Sequence, residues 1–261
     1  MENNSNSVSV DNFLAKRYQN KICLVTGCTM GIGFAIAERF GLEGATLIVA
    51  SRRSENINSA VTQLKSKGIK YQSMLCNFNS KEDRTKLFAM IKEKFGRLDV
   101  LVCNVAANPY FGQSYDIGEK EFDKIFEVNV KNTFFTIKEA LPLLKQARNS
   151  NILIISSQAG YTPFQFLGVY SMTKTVLLSM TKMLADELSK FSMRVNCIAP
   201  GIINTKFSKA IVDSDEAKSN FMKRAGVPSE ISGAAAFLCS EEASFVTGET
   251  VCVTGGLHGR L

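Results

Sequence analysis

Residues 26–33 read Thr-Gly-Cys-Thr-Met-Gly-Ile-Gly and stand between a short apolar run, 22–25, and a stretch of helical spacing, 34–40. A glycine-rich turn that leaves a strand and opens a helix is the context of a dinucleotide phosphate site. Gly27, Gly31 and Gly33 let the backbone turn tightly and approach a diphosphate. The helix N-terminus behind them offers free N–H groups and the positive end of its dipole. A plain strand-to-helix turn built from permissive residues is the competing reading, and it asks nothing of the rest of the chain.

The rest of the chain supplies the architecture that a nucleotide site needs. Apolar runs of strand length recur at 22–25, 46–50, 71–75, 100–102, 151–155, 195–199 and 249–253. Between them Ile57, Ala60, Val61 and Leu64 follow helical i, i+3, i+4, i+7 spacing before Gly68, and Leu87, Met90, Ile91 and Phe95 do so before Gly96. Alternating strands and helices predict right-handed crossovers, hence an α/β fold of the Rossmann type. That fold is one doubly wound domain of about seven parallel strands with helices on both faces. The domain is expected to span 19–261 behind a flexible polar lead at 1–18, with no linker or internal repeat dividing it.

Composition narrows the chemistry. The 261 residues are 45% hydrophobic and 21% charged, as in an ordinary globular protein. The single histidine, His258, lies three residues from the C-terminus, a poor place to hold the imidazole that a Ser-His-Asp hydrolase or a His-ligated zinc enzyme requires. Proton transfer must then fall to Tyr, Lys, Asp, Glu or Cys. The seven cysteines form no C-x-x-C pair and sit mostly in apolar runs, so they read as buried free thiols rather than disulfides or a metal site. The net charge of +7 comes from scattered Lys and Arg without a basic stripe, which suits a phosphate-bearing cofactor better than nucleic acid. No apolar run reaches the roughly 20 residues of a membrane span.

The end of the second strand selects the cofactor form. An NAD site usually places Asp or Glu there to accept from the ribose 2′-OH. Here the strand ends in Ser51-Arg52-Arg53, a hydroxyl and two guanidinium forks suited to a 2′-phosphate. NADP(H) is expected, against the alternative that the arginines merely solvate a loop.

Tyr170-Ser171-Met172-Thr173-Lys174 places a phenol and an ammonium on one helix face. An ordinary tyrosine, with a pKa near 10, is a poor acid at neutral pH. A lysine cation and an oxidised nicotinamide are expected to lower it. Ser157, at the end of the 151–155 run, precedes Tyr170 by 13 residues, on the sheet edge where such folds bind ligands.

Taken together, the Thr-Gly-x-x-x-Gly-Ile-Gly turn, Ser157 and Tyr170-x-x-x-Lys174 resemble the short-chain dehydrogenase/reductase family. The resemblance extends over nearly the whole chain. Asn129, in Glu127-Val128-Asn129-Val130, matches the asparagine that completes the family's tetrad. The roles implied are Tyr170 as proton donor to a carbonyl, Ser157 as donor to the same oxygen, Lys174 on the nicotinamide ribose and Asn129 positioning a water. Thr29, Met30 and Ile32 are implied cofactor contacts of the turn. In Pro200-Gly201-Ile202-Ile203-Asn204-Thr205, matching P-G-x-x-x-T, Pro200, Gly201, Ile203 and Thr205 are implied contacts with the carboxamide and diphosphate. Cys103-Asn104-Val105-Ala106 stands where the family has Asn-Asn-Ala-Gly, retaining one asparagine and losing the glycine, and Asn77 stands where an acidic residue near the adenine is usual; Asn77, Asn104, Val105 and Ala106 are implied adenine and ribose contacts.

Within the family the chain most resembles a group of NADP-dependent carbonyl and retinal reductases. The implied substrate is a small hydrophobic ketone, aldehyde or dicarbonyl. An apolar pocket is expected from Tyr110, Phe111, Phe164, Phe166, Phe207 and also Phe221, beneath a lid at 205–224 that is polar and helical in period. Two other functions fit some of the same residues: a 3-oxoacyl carrier-protein reductase, and a non-catalytic NADP-binding scaffold or sensor. The resemblance also implies a homodimer or homotetramer. A cytoplasmic location is expected, with Gly259-Arg260-Leu261 resembling a peroxisomal Ser-Lys-Leu address.

Overall fold

A computed structural model describes residues 16–209 and 211–257. Seven strands form one parallel sheet: β1 (Ile22–Val25), β2 (Thr46–Ser51), β3 (Lys70–Leu75), β4 (Val100–Cys103), β5 (Asn151–Ile155), β6 (Arg194–Pro200) and β7 (Thr250–Val253). Their order across the sheet is β3-β2-β1-β4-β5-β6-β7. The strand order reverses between β1 and β4, which opens a crevice at the carboxyl ends of these strands, where ligands of doubly wound folds bind.

Period-two alternation in the central strands feeds two cores. Cys23, Val25, Leu47, Val49, Val100 and Val102 face α1 (Gly31–Leu42), α2 (Ser54–Ser66) and α8 (Pro228–Leu238). Leu24, Ile48, Leu101, Ile152 and Ile154 face the other way, onto α3 (Lys81–Phe95), α5 (Asn132–Leu144) and α6 (Gly168–Ser189). Burial on both faces is why the strands read as unbroken apolar runs. The helix stops also fall where the glycines stand, with Gly68 and Gly96 both at positive φ.

The polar lead ends earlier than its composition implies. Tyr18 is buried, stacks on Phe40 at 4.3 Å and donates its hydroxyl to Ala236 O at 2.7 Å. Arg17 Nε and Nη2 each donate to the buried Glu43 carboxylate at 2.6 Å. One large amphipathic ring in a polar run carries enough apolar area to dock it, and no periodicity signals that. Residues 1–15 and 258–261 lie outside the described residues, so His258 and the terminal tripeptide are not placed.

The stretch 205–224 is mostly turns. Among its described residues only α7 (Asp215–Lys218) is helical. Its Ser and Asn side chains bond to nearby backbone and compete with a helix, as Ser208 does to Ile203 O and Asn220 Nδ2 to Ala217 O and Arg224 O. The loop is closed at its neck, where Asn204 N donates to Gly226 O at 2.8 Å and Gly226 N to Ile202 O at 2.9 Å. No helix among the described residues is long and apolar enough to cross a membrane.

Candidate active site

The glycine turn is a cradle closed to side chains. Gly27 and Gly31 have φ of 66° and 58°, in the left-handed region that favours glycine. A Cβ on Gly33 would overlap Gly27 O and stand 2.5 Å from Asn104 Nδ2. Asn104 acts here as a strut: its backbone N–H donates to Thr26 Oγ1 at 2.8 Å and its Nδ2 to Thr26 O at 3.0 Å, tying the end of β4 to the turn. The adjoining Val105 N–H shares the same hydroxyl at 3.2 Å, and Ala106 is half-buried beside it. Met30, before α1, is extended, gives the helix no side-chain cap, and the first turn holds no acidic residue. The uncapped N–H groups and bare glycine backbone fit a diphosphate. Thr29 and Ile32 flank this opening half-buried.

Two further loops border the crevice. Ser51 closes β2, and Arg52 and Arg53 come next in the chain, exposed and without a carboxylate partner among the described residues. Asn77 turns back on itself: its Oδ1 accepts from Asn79 N at 3.2 Å, and its N–H donates to Asp83 Oδ2 at 2.9 Å. On the opposite wall Pro200 ends β6, Gly201 N donates to Val253 O at 3.0 Å, and Ile203 is buried. Thr205 is near enough that a Cβ on Gly31 would sit 3.4 Å from its Cγ2.

Ser157, Tyr170 and Lys174 converge beyond the end of β5. Ser157 accepts from Ala159 N at 3.1 Å, capping a short 3-10 turn, Gln158–Gly160. Its hydroxyl also hydrogen-bonds the Tyr170 phenol, so the two oxygens stand together. Gly160 makes this convergence possible, because a Cβ there would stand 2.9 Å from the Lys174 backbone carbonyl, and no motif in the sequence pointed to it. Thr175 Oγ1 donates to Gly160 O at 2.8 Å and Ser156 Oγ to Lys174 O at 2.7 Å, which stitch this turn to α6.

Burial governs the electrostatics of this pair in the protein by itself. Lys174 is buried, its Nζ donates to Ile155 O at 3.0 Å, and burial lowers it from 10.5 to about 8. Its ammonium lies 5.4 Å from the Tyr170 ring centroid. Burial raises the Tyr170 phenol above its ordinary value, opposed only in part by a hydrogen bond from Ser157. In the protein by itself desolvation therefore outweighs any lowering by the lysine. The phenol stays protonated throughout neutral pH, the state a proton donor needs.

Asn129 lies in a π-helical turn, Glu127–Lys131, between α4 (Glu119–Phe126) and α5. Its side chain is committed, with Oδ1 accepting from Ala107 N at 2.8 Å and Nδ2 donating to Ala107 O at 3.1 Å and Thr173 Oγ1 at 3.0 Å. The amide thus braces protein. A water held through this side chain, as the family resemblance implied, has no free amide proton to use.

A tight crevice with no room for a water molecule is lined by Tyr110, Ile125, Phe166, Leu167 and Tyr170, among others. Phe111 packs on Phe166 at 5.5 Å between centroids, and Phe207 approaches Tyr170 at 6.0 Å. Of the expected pocket residues only Tyr110 and Phe166 belong to this lining; the half-buried Phe164 and the exposed Phe111, Phe207 and Phe221 lie outside it.

A family model described as Enoyl-(Acyl carrier protein) reductase matches residues 27–258. The chain is 44% identical over 247 residues to a Bos taurus protein named Dehydrogenase/reductase SDR family member 4, covering 93% of this chain and 88% of that one. It is 40% identical over 253 residues to Tropinone reductase-like 3 of Erythroxylum coca, covering 95% and 97%. Among solved structures, a short-chain dehydrogenase/reductase SDR:glucose/ribitol dehydrogenase from Brucella melitensis superposes with a TM-score of 0.87 at 33% identity, over 94% of this chain and 99% of that one.

Proposed function

The chain belongs to the short-chain dehydrogenase/reductase family, and from that premise we propose that it is an NADPH-dependent oxidoreductase reducing small hydrophobic ketones, aldehydes and dicarbonyls to alcohols. The observation that carries this reading is a buried Tyr170 phenol, hydrogen-bonded to the Ser157 hydroxyl, in a crevice lined by Tyr110 and Phe166. When bound, the nicotinamide supplies the hydride. The remaining steps belong to the chain. The aromatic wall takes up the apolar body of the substrate and keeps water away. Ser157 donates a hydrogen bond to the carbonyl oxygen, where negative charge develops. Tyr170 delivers its proton to that oxygen. Lys174, buried beside Ile155 O, provides a donor at the floor of the site that fits a ribose hydroxyl. The complete set argues against a scaffold, which needs no proton donor.

Ser51, Arg52 and Arg53 support the NADP form, since exposed guanidinium groups without carboxylate partners among the described residues suit a 2′-phosphate. Turnover with NADPH is expected to exceed that with NADH by at least about tenfold in kcat/KM, or about 1.4 kcal/mol. Paired steady-state assays of the two cofactors measure this, and equal use sinks the 2′-phosphate argument. An acyl-thioester substrate is the second reading, favoured by the description of the matching family model.

A further inference from the structure

Thr173 sits inside the Tyr170-to-Lys174 stretch and is wholly buried. Its hydroxyl donates to Tyr170 O at 2.7 Å. A hydroxyl has one proton, so its lone pairs are left to accept, and they accept from Asn129 Nδ2 at 3.0 Å. Asn129 in turn holds both backbone groups of Ala107. Thr133 Oγ1 donates to Asn129 O at 2.8 Å and fixes the π-helical turn that carries it. Three separate elements are therefore linked through the Thr173 hydroxyl and the Asn129 amide: the helix bearing the proton donor, the π-helical turn, and the loop that runs from Ala107 into Tyr110 and Phe111.

We propose that Thr173 is a positioning residue that sets the Tyr170 phenol against the substrate wall by coupling α6, through Asn129, to the loop after β4. The proposal rests on the reading of Tyr170 as proton donor. Asn129 Nδ2 has two protons and two acceptors, Ala107 O and Thr173 Oγ1, and the residue is 1% exposed. Removing the Thr173 hydroxyl leaves a buried N–H without a partner, so Asn129 and the loop it holds must shift. The cofactor turn is held by a different set, Thr26 and Asn104. Loss of the coupling thus acts on the carbonyl and its proton, and leaves the nucleotide cradle alone.

The test compares Thr173→Val, which keeps the shape and removes the hydroxyl, with Thr173→Ser, which keeps the hydroxyl, and with Tyr170→Phe. Carbonyl reduction and NADPH affinity by fluorescence titration are measured for each full-length protein. Thr173→Val is expected to lose about tenfold or more in kcat/KM for the carbonyl, with NADPH affinity within about twofold of the parent. Thr173→Ser is expected to recover most of the loss. Parent-like turnover in Thr173→Val, an equal loss of NADPH affinity, or a Ser variant as impaired as Val overturns the proposal. If Thr173→Val and Thr173→Ala both fail to fold while Thr173→Ser folds, Thr173 serves stability and the proposal is likewise overturned. A Tyr170→Phe protein that still turns over refutes the underlying reading instead, so the two failures are distinguishable.

Discussion

Tyr170→Phe is expected to lower kcat/KM for carbonyl reduction by about a thousandfold, within the range of a lost general acid. The ring stays in its buried seat in the crevice. Ser157 keeps its bond from Ala159 N, and what is lost is the phenol hydroxyl, with its transferable proton and its bond to Ser157. NADPH binding by fluorescence titration should hardly change, because the nucleotide cradle is built from Thr26, Asn104 and the glycine turn at the ends of β1 and β4. Turnover that survives the substitution removes Tyr170 from the proton-donor role.

Gly33→Ala should act on the opposite half of the reaction. An added methyl overlaps Gly27 O and meets Asn104 Nδ2 at 2.5 Å, so backbone must move. Overpacking of this kind costs about 1–3 kcal/mol, and the movement falls on the turn whose bare N–H groups face the diphosphate. NADPH affinity by titration is expected to fall at least about tenfold, with circular dichroism retaining the fold. Parent-like affinity would show that the turn does not bear the cofactor.

The fold was legible because its signals are local. Both-face burial writes β1 as four consecutive apolar residues, and the Gly27-Gly31-Gly33 turn marks the start of a helix directly after it. Ser157, Tyr170 and Lys174 were legible as residue types at a spacing. What escaped was whatever depends on another element's approach. Gly160 matters only because Lys174 of α6 lies against it, and Thr173 only because Asn129 points at it. Tyr18 was hidden in a polar run, although it docks on Phe40. The upward pull of burial on the phenol was not legible, because a sequence displays the neighbouring lysine but not the depth of burial. The 205–224 loop failed for a related reason, since helical period in a Ser- and Asp-rich stretch loses to side-chain bonds with its own backbone.

Whether the protein is a carbonyl reductase is decided by NADPH consumption, with product analysis, over a panel of carbonyls: diacetyl-type dicarbonyls, aromatic ketones, retinal and an acetoacetyl thioester. One alcohol is expected per NADPH oxidised, formed fastest from a hydrophobic ketone, aldehyde or dicarbonyl. Tight NADPH binding without consumption on any member, or turnover confined to the thioester, would contradict that assignment.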